Sequence, residues 1–194
     1  TALANAIELD LDHLNISIIA VNGVGFLRYV EMCRKLNVPF AMRTDNDIFY
    51  DEKTDISRFA GVLRGVRVVE GLDASGENIN SLKVLEPELS WISSESNRPS
   101  INASEEAVRI LESYGVFLAS VDLETDLVKS PIYDSLRAHY GIENEKKLIS
   151  AMQRRKAENM FEFLLSNPDL SVLRTNPLSY PLLHLCSQMS DQND

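Results

Sequence analysis

Within about thirty residues the chain runs apolar strand, turn, helix, apolar strand, and that order constrains the fold more than any other feature. Ile16-Ser17-Ile18-Ile19-Ala20-Val21 is a compact β-branched run that suits a buried parallel strand. Asn22-Gly23-Val24-Gly25 turns the chain. Phe26, Val30, Cys33 and Leu36, with Leu27 and Met32 nearby, then mark an amphipathic helix reaching Asn37. Val38-Pro39-Phe40-Ala41-Met42 opens a second buried strand that ends at Arg43-Thr44-Asp45. The pattern predicts an α/β fold, a parallel sheet flanked by helices.

The remaining segments extend that reading. Thr1 to Leu9 reads as a helix without a start signal, so the chain is expected to be a piece of a longer protein. Ile56, Phe59, Ala60, Leu63, Val66 and Val69 recur at helical spacing and predict a helix over about 55–70. From Asp73 to Asn102 the chain turns polar and reads as an inserted, partly mobile loop, with 82–91 docking on the surface and Trp91 covering apolar side chains. Ser104-Glu105-Glu106 reads as a capped helix start, and Gly115 stops that helix after Tyr114. Val116-Phe117-Leu118-Ala119-Ser120-Val121 is a third apolar strand. A helical tail is expected over about 131–139, 144–165 and 178–188.

Composition removes several classes of function. With 194 residues, 44% of them hydrophobic, the chain can bury a core. No apolar stretch is long enough to span a bilayer and no signal peptide opens the chain, so no membrane partner is expected and a cytoplasmic location is. Cys33 and Cys186 lie far apart and read as free thiols, and His13, His139 and His184 form no cluster. The net charge of −10 argues against nucleic acid, which usually meets a basic footprint. Divalent cations held by carboxylates reverse that field locally.

Two acidic pairs fall where α/β sheets collect ligands, at the carboxyl ends of strands. Asp45 and Asp47 follow the second strand. Residues i and i+2 of an extended segment point the same way, so both carboxylates can enter one cavity while Asn46 faces elsewhere. Hard cations such as Mg²⁺ and Mn²⁺ take oxygen donors of this kind. Asp122 and Glu124 follow the third strand with the same spacing, and two such pairs in one sheet could build a two-metal phosphodiester-cleaving site. The plain alternative is that these acids decorate turns, with Glu124 and Asp126 opening a helix whose N-terminus favours negative charge.

These segments, in this order, resemble the Toprim domain of the overcoming-lysogenization-defect (OLD) family of ATP-dependent nucleases, Gabija-type defence relatives included. The matching stretches run from Leu9 through Asp12-His13-Leu14-Asn15 to Gly25-Phe26, from Val38 to Asp47, and from Gly115 through Asp122-Leu123-Glu124 to Leu127. The resemblance covers about 1–50 and 104–165 and leaves the polar insert unmatched. It implies a Toprim core over 1–127, interrupted by the 73–102 insert, and a helical extension over 128–194. The implied activity is metal-dependent DNA endonuclease chemistry using Mg²⁺ or Mn²⁺, two cations per site. ATP would enter through a separate N-terminal ATPase domain, and a homo-oligomer or a defence-complex partner belongs to the same picture. By position Asp45, Asp47 and Glu124 match the family's metal ligands. Asp122 falls where a second ligand sits, commonly as a hydroxyl residue, and Lys156 is the best match to a lysine that offsets charge on phosphate. Lys146 and Lys147 are its rivals, and a solvated basic helix face is the alternative for all three.

One departure bears on activity. Toprim domains begin with a strand ending in Glu-Gly, which is expected upstream of Ala2 and is not in this sequence. Val68-Val69-Glu70-Gly71 imitates it but follows the acidic motif and continues a helical pattern, so it reads as a helix end. A non-catalytic module, either a degenerate Toprim or a receiver-like domain, is the competing reading. A receiver needs a late strand-end lysine, for which the sequence offers no convincing candidate. Topoisomerase and primase uses of the fold call for a strand-passing tyrosine domain or a zinc module, neither visible here.

Overall fold

The computed structural model describes residues 1–21, 25–72, 76–85, 89–92 and 105–190. In chain order its elements are α1 (Ala2–Ala6), α2 (Phe26–Lys35), β1 (Met42–Thr44), β2 (Ile48–Asp51), β3 (Ile56–Phe59), α3 (Ala60–Leu72), α4 (Glu77–Leu85), β4 (Ser90–Ile92), α5 (Glu105–Ser113) and β5 (Val116–Leu118). Then follow α6 (Leu123–Val128), α7 (Tyr133–Tyr140), α8 (Glu145–Arg154), α9 (Lys156–Leu165), a 3-10 turn (Ser171–Leu173) and α10 (Tyr180–Ser190). This is a mixed α/β chain with a parallel strand pair, flanking helices and a helical C-terminal part, as the sequence predicts. Among the described residues no helix is long and apolar enough to cross a membrane.

Contacts divide the chain into two compact units, Ile19–Val121 with His184–Asp194 and Thr1–Ile18 with Asp122–Leu183. In the first, β1 and β5 pair in parallel, Met42 opposite Val116 and Thr44 opposite Leu118. The ladder continues past both strands: Ala119 N donates to Thr44 O at 3.0 Å and Asn46 N to Val121 O at 2.6 Å. Val62, Val66 and Val69 of α3 pack with Leu111 and Ala107 of α5 and Val116 of β5. Gly65 permits that approach, since a Cβ there would lie 2.7 Å from a Leu111 methyl. A second sheet, β2-β3-β4, is antiparallel throughout, and Trp91 packs its ring 5.3 Å from that of Phe59.

The second unit is helical. Leu127, Ile132, Leu136, Leu148, Met152, Phe163 and Leu173 are buried together. Thr1–Ile18 packs here; Arg174 Nη2 donates to Ile7 O at 2.8 Å and pairs with Glu8.

Several predicted elements differ. Ile16–Val21 carries no strand, and Ile18 and Ile19 are exposed: a β-branched run stays irregular without a neighbouring ladder, and none pairs with it among the described residues. The second strand begins at Met42 instead of Val38, because Pro39 has no N–H to contribute to a ladder. The helix predicted over 55–70 starts only at Ala60. Ile56–Phe59 is instead one arm of a hairpin, whose turn is held by Asp51 Oδ1 accepting from Lys53 N and Asp51 Oδ2 from Thr54 Oγ1. The polar insert is not simply a loop where it is described, since α4 buries Ile79 and Leu82; residues 73–75, 86–88 and 93–102 of it lie outside the described residues.

The helix predicted over 144–165 is broken at Arg155 (φ −139°, ψ 58°). Across the break Asn159 Nδ2 donates to Ala151 O at 2.9 Å.

Gly115 closes α5 with φ +73°, and a Cβ there would lie 2.7 Å from Phe40 O. Gly115→Ala is therefore expected to lose about 1–3 kcal/mol by urea denaturation, from left-handed strain and the carbonyl clash together. A change below a few tenths of a kcal/mol would show that this turn relaxes freely.

Candidate metal centre

The segment Thr44–Asp47 leaves β1 at its carboxyl end and is fixed from several sides. Asn46 is fully buried while Asp45 and Asp47 are exposed, so the alternation of an extended chain carries both carboxylates outward. Ala60 N donates to Asp47 O at 2.7 Å, and Val62 N donates to Asn46 Oδ1 at 3.2 Å. These are first-turn N–H groups of α3, which have no partner inside the helix, so the acidic segment acts as the cap of α3. Arg64, one turn further on, donates from Nε to Thr44 Oγ1 at 2.9 Å and from Nη2 to Asp45 O.

Gly61 makes this seam possible. A Cβ there would lie 2.6 Å from Asn46 Oδ1 and 2.8 Å from Asp45 O. Asn46 Nδ2 is buried and has no hydrogen-bond partner among the described residues, a cost accepted for the inward turn of this side chain. The parts of Gly61, Val62 and Arg64 in this arrangement were not read from the sequence. A glycine pair four apart, Gly61 and Gly65, inside a helical pattern was the available signal.

Asp122 and Glu124 lie in a different local setting from the one their spacing suggested. Asp122 is the N-cap of α6, with Oδ1 accepting from Thr125 N at 2.8 Å and Oδ2 accepting from Gln153 Nε2. Burial pushes its pKa up, but the hydrogen bonds from Thr125 and Gln153 and the nearby Lys156 charge outweigh that and hold it below the usual aspartate value. Glu124 is in the first turn of α6, with its side chain 4% exposed, and Lys156 Nζ stands 3.1 Å from Oε2. The pair thus belongs to a helix start and not to an extended strand end. Of the three candidate lysines, Lys156 is the one joined to an acidic candidate, and Lys146 and Lys147 lie exposed on α8. Glu70 lies within α3 and pairs with Lys83 at 3.1 Å, and Gly71 lies inside the helix rather than beyond its end.

The donor chemistry at Asp45 and Asp47 suits one hydrated divalent cation, because Mg²⁺ keeps several waters and needs only one or two carboxylates. Among the described residues no group of three or more His, Cys, Asp or Glu side chains forms a cage for a metal.

Two outcomes are expected here. Gly61→Ala should cost about 1–3 kcal/mol and weaken Mn²⁺ binding, because the new methyl displaces the segment that carries both aspartates; calorimetric titration showing unchanged affinity would separate the seam from the carboxylates. Asp122→Ala should lose about 1 kcal/mol of stability at neutral pH. Because the folded pKa of Asp122 is depressed, its contribution is complete above the ordinary aspartate pKa and is lost as pH falls through the folded value. The gap between wild type and variant should therefore narrow on acidification, as followed by thermal melts across pH.

The family model for the overcoming lysogenization defect protein-like TOPRIM domain matches residues 1–47. Among solved structures, the C-terminal region of the Xanthomonas campestris pv. campestris OLD protein is similar at 16% identity, over 100% of this chain and 90% of that chain, with a TM-score of 0.49. No curated protein matches the chain.

Proposed function

We propose that this chain carries an OLD-like Toprim domain, a nuclease-type module of a larger protein, and that it is the metal-dependent endonuclease part of an ATPase-nuclease acting on DNA. The observation that carries this reading is the end of β1: two outward carboxylates, Asp45 and Asp47, over a buried and hydrogen-bonded Asn46. In this reading the catalytic core is 1–127 and the helical extension is 128–194.

Asp45 and Asp47 would hold one Mg²⁺ or Mn²⁺ ion of a two-cation pair. When bound, such ions activate water and neutralise charge on the scissile phosphate. Asn46, Gly61 and Arg64 hold the two aspartates in register, so that little reorganisation is left for the moment of reaction. Glu124 and Asp122 supply the later acidic positions, and Lys156, held by Glu124, offers the compensating positive charge. Asp122 is the weakest member of this set, because both of its oxygens already accept hydrogen bonds. The ATPase domain of the same protein supplies ATP dependence, and the acidic surface of this part leaves much of the electrostatic grip on DNA to other regions.

The absence of a three-residue cage among the described residues favours a second reading, a non-catalytic Toprim module. One experiment decides between them. The intact protein should nick supercoiled plasmid in Mg²⁺ or Mn²⁺, and Asp45→Ala should lower the rate on the order of a hundred-fold or more. Wild-type nicking by that variant, with unchanged metal affinity, would sink the nuclease reading at this site.

A further inference from the structure

Lys156 is the first residue of α9, directly after the break at Arg155, and a helix start is an unfavourable place for a positive charge because the macrodipole opposes it. The charge that compensates it comes from α6. Lys156 Nζ lies 3.1 Å from Glu124 Oε2, and apart from that ammonium the oxygen is buried with no hydrogen-bond donor among the described residues. The two partners are unequal: the Glu124 side chain is 4% exposed and the Lys156 side chain 55%. The carboxylate depends on a cation, since a buried charge without a partner is costly, while the lysine can leave into water on a flexible stem. The same ammonium acts on Asp122, whose oxygens accept from Thr125 and Gln153, so one positive charge serves two neighbouring carboxylates.

We propose that Lys156 is a built-in counter-cation: in the cation-free protein its ammonium occupies the place at Glu124 that a divalent cation takes, and cation binding there releases it. The proposal deepens the nuclease reading above and rests on it for the part the cation plays in the reaction. The residues fit such an exchange. Glu124 Oε2 is a hard oxygen donor that no hydrogen bond from the described residues occupies, which suits Mg²⁺ or Mn²⁺. One ammonium leaves one of the two carboxylate charges uncompensated, and a divalent ion matches both. Asp122 keeps its hydrogen bonds and contributes charge, whereas Glu124 contributes the ligand atom. The released ammonium is then the group available to phosphate. An ion pair with only a structural role gains nothing from a divalent cation, which separates the two by measurement.

The test uses the intact protein, with Mg²⁺ or Mn²⁺ alone as the probe. In wild type, acetylation of Lys156 followed by mass spectrometry should accelerate on adding Mg²⁺; in Glu124→Gln it should be fast from the start and indifferent to Mg²⁺. Lys156→Met should melt lower than wild type in EDTA, because Glu124 loses its partner, and Mn²⁺ should restore it. Calorimetric titration of that variant should show one Mn²⁺ bound about ten-fold more tightly, or better, than in wild type. Lys156→Arg, which keeps the charge, should behave as wild type. Adding Glu124→Gln to Lys156→Met should remove both the extra affinity and the rescue. Unchanged Mn²⁺ affinity in Lys156→Met, acetylation indifferent to Mg²⁺ in wild type, or extra affinity that survives Glu124→Gln overturns the proposal. The two readings fail separately. Wild-type nicking in Asp45→Ala beside a cation-responsive Lys156 defeats only the nuclease assignment, whereas loss of nicking there beside an unresponsive Lys156 defeats only the counter-cation.

Discussion

The closest packing at the candidate centre is between the start of α3 and the end of β1, and the arrangement of Asp45 and Asp47 depends on it. A helix start leaves several N–H groups without partners, and here Ala60 and Val62 give theirs to Asp47 O and Asn46 Oδ1. The acidic segment satisfies the helix while the helix fixes the segment. Its N-terminal dipole also favours the negative charge of two aspartates held side by side. None of this survives a side chain at position 61, because the backbone of residues 45 and 46 occupies that space. A glycine inside a helix usually costs stability; at Gly61 the cost is offset by a contact no other residue permits.

Much of the candidate site was legible because extended chains have one rule. The spacing of Asp45 and Asp47 after an apolar run fixed which way both would face, and the structure exposes both around a buried Asn46. The same rule failed at Asp122 and Glu124. Two residues apart means the same side on a strand but nearly opposite sides on a helix, and the chain becomes helical at Leu123. The competing signal was present in Asp122-Leu123-Glu124-Thr125, where an aspartate caps a helix whose first turn is acidic. Lys156 entered through family resemblance alone, since its approach to Glu124 needs the helix break at Arg155.

The fold was legible where local and tertiary preferences agree, as in α2, α5 and the Gly115 stop. It was not where pairing decides. Ile56-Ser57-Arg58-Phe59 fits both a helical stripe and a strand, and the hairpin partner Ile48–Asp51 settles the matter. Ile16–Val21 has stronger strand character than any of these, yet it has no ladder among the described residues and stays irregular. Strand propensity describes fitness for a pleated neighbour, so it has no expression where the neighbour is missing.

Charge gives the last constraint. Asp45 and Asp47 are exposed on a chain of net charge −10, and among the described residues no histidine or cysteine joins them as a softer donor. Arg64 donates to the Thr44 hydroxyl and to the Asp45 carbonyl, so its hydrogen bonds hold the end of β1. A buried asparagine and a helix start hold Asp45 and Asp47 at exposed positions of this segment. That arrangement favours a small, hard, hydrated ion over an organic ligand.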